Sequence, residues 1–367
     1  MLALFDNFWE QDYPCYEKAG GDTNSYTIGR LGQHHVVLVH MPRMGKASAA
    51  NVAANLRSSF PHIRLALLVG ICGGVPFAGG GKEEITLGDI VISTQIVQLD
   101  FGRQYSDTFL RKSTAQDNLS KPNQEIGAFI SCLQTNVASL EEQIRTNTVT
   151  LFNADNAGNF KYPGVHEDKL FEKTYRHKHQ DVQACAICAN CFDPADSVCE
   201  DALNLSCAEL GCAASHLIPR ARIQNVINKG SGTSNAPRIH FGAIASGDQV
   251  IKSAQHRDHI ATQEHVIAFE MEGAGLWENI PTIVVKGICD YADSHKNKGW
   301  QQYAAATAAA CTKGILKIWR PTKRPTSDGH HDGARLPLST YQVFNGNFFA
   351  GKSIHNGGTY TAKSMNF

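Results

Sequence analysis

Apolar positions along this chain follow two patterns. Continuous apolar runs occur at HVVLVHM (35–41), IRLALLVGI (63–71), DIVISTQIV (89–97), RIHFGAIASG (238–247) and TIVVKGICD (282–290). They have the length and branching of strands covered on both faces. Between them lie segments of helical character: GKASAANVAANLRSSF (45–60), NQEIGAFISCLQTNVASLEEQIR (123–145) as one long helix, and WQQYAAATAAACTKGILKIW (300–319). Buried strands interleaved with helices predict a three-layer α/β/α fold around a mostly parallel, mixed central sheet. Ligands of such sheets bind beyond the carboxyl ends of strands. Gly73, Ser246 to Asp248, Glu272 and Asp290 all fall at such ends.

One run breaks the apolar rule. VIAFEMEGAGLW (266–277) reads as a strand entering a helix, with Val266, Ala268, Glu270 and Glu272 on one face and Ile267, Phe269 and Met271 on the other. Two carboxylates at the end of a buried strand are costly to desolvate and need a reason. Elsewhere the pattern dissolves. Residues of about 150–237 form an irregular, Cys-rich insertion into a domain spanning 1–319. PTKRPTSDGHHDGARLP reads as a flexible linker at 320–337, followed by a glycine- and asparagine-rich tail at 338–367.

Composition narrows the class. The 367 residues suffice for a full core, and 34 basic side chains balance 34 acidic ones. No global field therefore points to nucleic acid or an anionic membrane. No run approaches the roughly 18 apolar residues of a membrane span. The first residues, MLALFDNF, lack a signal-peptide core. Eleven cysteines, six of them crowded between Cys185 and Cys212, suit reduced thiols better than a disulfide framework. The expectation is a cytoplasmic protein.

Asp290 follows TIVVKGIC, so its carboxyl sits at the mouth of a dry sheet, where burial favours the neutral, proton-bearing form. Such a group suits protonation of a leaving heteroatom. Glu272, at the neighbouring strand end, suits gripping a vicinal diol, because a carboxylate accepts two hydrogen bonds. Together they describe glycosyl transfer. A purely structural alternative is that both acids pair with Lys286 or arginines inside the fold.

IASGDQVI (244–251), AFEMEGAG (268–275) and VVKGICDYADSHKN (284–297), together with LLVGICGGVP (67–76) and LGDIVIS (87–93), resemble the purine nucleoside phosphorylase and uridine phosphorylase superfamily. The likeness covers about 24–319 and runs nearest to nucleosidase-like domains of fungal proteins. It implies a nucleoside-phosphorylase-like fold and a purine N-glycosidase, with a phosphate-dependent phosphorylase and an inactive nucleoside-binding module as alternatives. It also implies that Asp290 protonates purine N7, that Glu272 holds the ribose hydroxyls with Met271 beneath the sugar, and that Glu270 supports them. Val250 and Ile251 would contact the base, Ser246 would shape the turn before them, and Ile71, Cys72 and Gly73 would lie beside the nucleophile. Relatives of this kind typically build part of each pocket from a neighbouring copy, so a homo-oligomer is expected.

The chain departs from the pattern in two places. Leu68 and Ile71 stand where phosphorylases often carry arginine and serine, which argues for water over phosphate as the nucleophile. Arg43 and Lys46 remain as possible phosphate contacts. The family's usual opening strand is also missing, since MLALFDNF resembles the helix after it. The sheet would then expose unpaired backbone, so either the chain begins downstream of its true start, or another segment fills the gap, or the domain is catalytically weak.

Cys185, Cys188, Cys191 and Cys199 have spacing suited to a structural zinc, with apolar packing of thiols as the alternative. The glycosyl chemistry needs no other cofactor. The tail, with Asn345-Gly346 and Asn356-Gly357-Gly358 turns, resembles C-terminal amyloid-signalling motifs of fungal immune effectors, which implies a nucleotide-binding oligomerisation receptor as partner. A disordered tail is the alternative.

Overall fold

The computed structural model describes residues 1–8, 17–153, 160–193, 196–229, 236–321 and 340–345. In chain order the strands are β1 (Asn7–Phe8), β2 (Tyr26–Leu31), β3 (His34–His40), β4 (Ala66–Gly74), β5 (Phe77–Ala78), β6 (Glu83–Glu84), β7 (Ile90–Gln98), β8 (Gly102–Gln104), β9 (Phe109–Arg111), β10 (Ile239–Ser246), β11 (Val266–Glu270), β12 (Thr282–Asp290) and β13 (Thr340–Asn345). The helices are α1 (Lys46–Ser59), α2 (Gln124–Thr135), α3 (Val137–Phe152), α4 (Ala186–Ala189), α5 (Ala221–Asn228), α6 (Ala254–Glu264), α7 (Gly273–Leu276) and α8 (Trp300–Ile318).

Nine strands form one sheet in the order β1-β2-β3-β13-β4-β11-β10-β7-β12, and β12 returns to pair with β4. Strands β4, β11, β10, β7 and β12 thus close into a ring. Pairing is more evenly mixed than expected. It is parallel for β10 with β7 and β11, β12 with β4, and β13 with both neighbours. It is antiparallel for β1–β2, β2–β3, β4–β11 and β7–β12.

The continuous apolar runs are explained by two cores. Leu65, Leu67 and Val69 enter one core with Ile130, Leu140 and Ala308, whereas Ala66 and Leu68 enter the other with Val52, Leu56 and Leu276. Successive strand side chains point to opposite faces, so a strand with helices on both sides is apolar at every position. Helices α2, α3 and α8 cover one face, with α1 and α7 on the other.

Two expectations change, and one alternative is chosen. The long helix at 123–145 breaks at Asn136, whose amide donates back to the Cys132 carbonyl at 2.8 Å. Such local side-chain bonding competes with the helical ladder. Residues 1–8 are a 3-10 turn followed by β1, not a helix. The gap left by the absent opening strand is filled by β13. This strand lies between β3 and β4 and pairs from Thr340 opposite His35 to Asn345 opposite both His40 and Val69. Apart from these six residues, the tail lies outside the described residues, as does the linker from 322. Among the described residues, no helix is long and apolar enough to cross a membrane.

Candidate active site

The site forms where β4 ends between two partners. Gly73 is in register with Phe269 of β11 on one side and Asp290 of β12 on the other. Glu272 and Asp290 therefore do not sit on neighbouring strands; β4 intervenes, and they flank its glycine turn. Gly73 has to be glycine, because a Cβ there would lie 2.9 Å from both Asp290 Oδ1 and Ala292 Cβ. The β12–β4 register shifts between Ile288 and Asp290, leaving Cys289 as the extra residue. A bulge of this kind re-aims the side chain that follows it.

Strand β11 stops at Glu270, and Glu272 already has helical backbone angles at the start of α7. Glu270 is consumed by that turn: it accepts from Glu272 N at 3.0 Å and Gly273 N at 2.9 Å, and lies 3.3 Å from Lys286 Nζ. Lys286 also donates to Glu272 Oε2 at 2.9 Å. The structural alternative raised by the sequence is thus real, yet it accounts for only part of Glu272. Its second oxygen receives a long 3.4 Å bond from Gly45 N, and the residue borders a cavity. Burial alone would raise the Glu272 pKa, but the Lys286 charge together with the hydrogen bonds from Lys286 and from backbone amides outweighs it and holds the carboxyl below its ordinary value. The two carboxylates in turn raise fully buried Lys286 against its own desolvation.

Asp290 is less isolated than the sequence implied. Lys296 Nζ lies 3.0 Å from Oδ1, which also accepts from Ala292 N at 2.8 Å. The loop after β12 is pinned further by the Tyr291 hydroxyl, which donates to Asp168 at 2.7 Å, and by Arg257, which donates to the Tyr291 carbonyl at 2.7 Å. Ala292 takes φ +51°, a left-handed conformation that non-glycine residues seldom adopt and that functional sites often retain.

Ile71, Cys72, Gly73, Val250, Ile251, Glu270, Met271, Glu272 and Asp290 all line one cavity of about 270 Å³. Ser246 does not; it is buried, and its hydroxyl accepts from Ala274 N at 3.0 Å, which secures α7. Lys46 pairs with Asp100 and lies 3.8 Å from Asp248, so it is not an open phosphate ligand; Arg43 is exposed and outside the lining. The sequence did not point to Met44, Gln249, Lys296 and Gln301, which also border the cavity. Lys296 falls within VVKGICDYADSHKN, six residues beyond Asp290, but a carboxylate partner at that offset has no one-dimensional signature. A larger cleft of about 480 Å³ beside Arg57, Ser120 and Trp277 has Glu278 as its only lining carboxylate and borders β12 at its first residue, Thr282, rather than the carboxyl ends of strands.

In the insertion, Cys185, Cys188 and Cys199 converge with His179 rather than with Cys191. The Cys191 thiol lies instead 3.7 Å from the Asp196 carbonyl. A second convergence joins His177, Cys207, Cys212 and His295.

Residues 3–132 match the family described as the phosphorylase superfamily. Over 314 residues, 84% of its length, the chain is 32% identical to a nucleotide-binding leucine-rich repeat (NLR)-like protein of Hyaloscypha variabilis, of which it spans only 27%. It is 21% identical over 300 residues to a 5'-methylthioadenosine/S-adenosylhomocysteine nucleosidase of Mycobacterium bovis, covering 80% of this chain and 84% of that one. Among solved structures, the Streptococcus pneumoniae MTA/SAH nucleosidase in complex with 8-aminoadenine aligns with a TM-score of 0.46 at 18% identity, over 87% of this chain and 93% of that one. What the comparisons establish is a phosphorylase-superfamily domain match over residues 3–132.

Proposed function

We propose that this chain hydrolyses the N-glycosidic bond of a purine nucleoside or nucleotide, adenine compounds and ATP included, to free base and sugar. The observation that carries this reading is that Glu272 and Asp290 border one nucleoside-sized cavity from opposite sides of the Gly73 turn. In the reaction the C1′–N9 bond breaks and its electron pair leaves with the base. Asp290, a carboxylate paired with Lys296 at rest, takes up a proton from solvent before each turnover and delivers it to N7, while Lys296 holds the carboxyl in place. Glu272, kept ionised by Lys286, accepts hydrogen bonds from the ribose hydroxyls, and its charge favours the cationic sugar. Water adds at C1′ and releases a proton to solvent.

Hydrolysis is favoured over phosphorolysis because no arginine lines the cavity and its two lysines are already paired with carboxylates. A phosphate dianion would find no unspent charged donor there. The test is incubation with adenosine, inosine, methylthioadenosine, AMP and ATP, with and without phosphate, followed by separation of bases. Phosphate-independent base release is the expected result. Dependence on phosphate would mark a phosphorylase, and ligand binding without turnover a binding module. The identity to an NLR-like protein supports placing this activity under a nucleotide-binding oligomerisation receptor in an immune response. In that setting, cellular ATP should fall on assembly with the wild-type chain and hold steady with Asp290→Asn.

A further inference from the structure

The two Cys/His convergences have dimensions that packing thiols do not need. Zinc bound tetrahedrally by thiolates at about 2.3 Å and imidazoles at about 2.0–2.1 Å sets edges of roughly 3.8 Å between sulfurs, 3.6 Å between sulfur and nitrogen and 3.3 Å between nitrogens. In the first group, His177 Nδ1 and His295 Nδ1 are 3.3 Å apart. Cys207 Sγ lies 3.7 and 3.5 Å from them, and Cys212 Sγ 3.8 and 3.9 Å. In the second, Cys188 and Cys199 sulfurs are 3.7 Å apart, and His179 Nδ1 is 3.7 and 3.5 Å from them. Cys185 completes that set. Cys188 and Cys199 are too far apart for a disulfide, which needs about 2.05 Å, and Cys185, Cys207 and Cys212 are free thiols.

The hydrogen bonding of the histidines points the same way. His177 Nε2 lies 2.9 Å from the Leu205 carbonyl and His295 Nε2 3.1 Å from the Tyr175 carbonyl. A carbonyl only accepts, so each Nε2 carries the proton, and in the neutral rings both Nδ1 lone pairs face each other. Two lone pairs at 3.3 Å repel unless a cation lies between them. Backbone carbonyls on the far nitrogen are also the usual outer partners of metal-bound imidazole.

We propose that the chain holds two structural zinc ions, one on His177, Cys207, Cys212 and His295 and one on His179, Cys185, Cys188 and Cys199. His295 lies five residues beyond Asp290 and adjoins Lys296. The first ion therefore fastens the loop bearing the catalytic acid to the insertion, where Cys188, Ala202 and Leu210 form a small buried cluster among the described residues. The second ion secures the insertion alone. These ions bind no substrate; they position the loop.

Zinc content of the chain purified under reducing conditions tests this directly. Elemental analysis is expected to give two zinc per chain, one in Cys207→Ser, one in Cys199→Ser and none in the double variant. Should a variant fail to fold, titration of the wild type with an organomercurial is expected to release two equivalents to a coloured chelator. Cobalt exchange is expected to show one site with two sulfurs and one with three. Hydrogen exchange over 290–296 is expected to quicken in Cys207→Ser and stay unchanged in Cys199→Ser. Less than one zinc per chain, with native thiols reacting as free cysteines, would overturn the proposal. So would a single substitution that empties both sites. Neither result bears on base release, so the glycosidase reading is tested separately.

Discussion

Lys286→Met would test how the site keeps a carboxylate ionised inside a sheet. Its Nζ lies 2.9 Å from Glu272 and 3.3 Å from Glu270, and all three residues are buried. At an effective dielectric near 20, each contact is worth about 5–6 kcal/mol of Coulomb attraction, much of it offset by desolvation. Removing one partner of such a buried cluster costs about 3–5 kcal/mol. The pH dependence identifies the cause. In the wild type, burial would raise Glu272 but Lys286 prevails, so the folded pKa is depressed. Its contribution to stability is present above the unfolded value and lost as pH falls through the folded one. Without the ammonium, burial is opposed only by backbone hydrogen bonds and the sign reverses: the Glu272 carboxyl is costly when ionised and tolerated when protonated. Urea unfolding should therefore show a loss of about 3–5 kcal/mol near pH 7.5 and a much smaller loss near pH 4.5. Adding Glu272→Gln to the variant should restore part of the loss at the higher pH. An equal loss at both pH values would refute the reasoning and leave packing as the cause.

Asp290→Asn is expected to slow base release about 10²–10⁴-fold with little change in KM, measured by adenine chromatography; an unaltered rate would remove Asp290 from the acid role. Gly73→Ala places a methyl 2.9 Å from Asp290 Oδ1 and from Ala292 Cβ, so both activity and the thermal midpoint of the domain should fall, and full activity would show that the carboxyl position is not critical. His240 is buried between Asp89 and Glu83; burial would lower its pKa, but the two acids carry it up to about 9 from 6.5. Its stabilisation, roughly 3 kcal/mol, is complete below pH 6.5 and should fade as pH rises through about 9. Urea midpoints across that range check this, and His240→Gln should flatten the slope.

Strand β12 could be read to the residue, because TIVVKGICD is apolar on both faces and Pro281 precedes it. The gathering of Gly73, Glu272 and Asp290 was legible for the same reason, since strand ends in a buried sheet share one rim. What escaped were pairings that depend on distance along the chain. Lys286 was visible only as a candidate partner, and nothing local showed that it would serve Glu270 and Glu272 together. The cysteine spacing marked the insertion as unusual but gave the wrong fourth residue, because His179 lies ahead of the first Cys-x2-Cys pair. His295 was hidden further, more than eighty residues from the cysteines it meets. Spacing reports neighbours in sequence, whereas a tetrahedron is closed by the fold.

The same limit governs the C-terminal segment. Partial alternation and the single asparagine-glycine pair in YQVFNG suit cross-β stacking, and they equally suit a strand entering a sheet. The structure shows the second arrangement for Thr340–Asn345, paired on both edges. Its departure would leave facing backbone groups of β3 and β4 without partners, at about 1 kcal/mol net for each lost hydrogen bond and more where the group stays buried. An edge exposed in this way is also a template for another copy of the same sequence. Strand β4 carries Gly73 four residues beyond Val69, the last position paired with β13. The strand that completes the sheet and the loop joined to His295 therefore approach the Glu272–Asp290 cavity from opposite flanks. The strand lies outside the run of motifs that resembles the family, whereas the loop lies within one of them, VVKGICDYADSHKN, so one support of the rim is written into the motifs and the other is supplied from a distant segment.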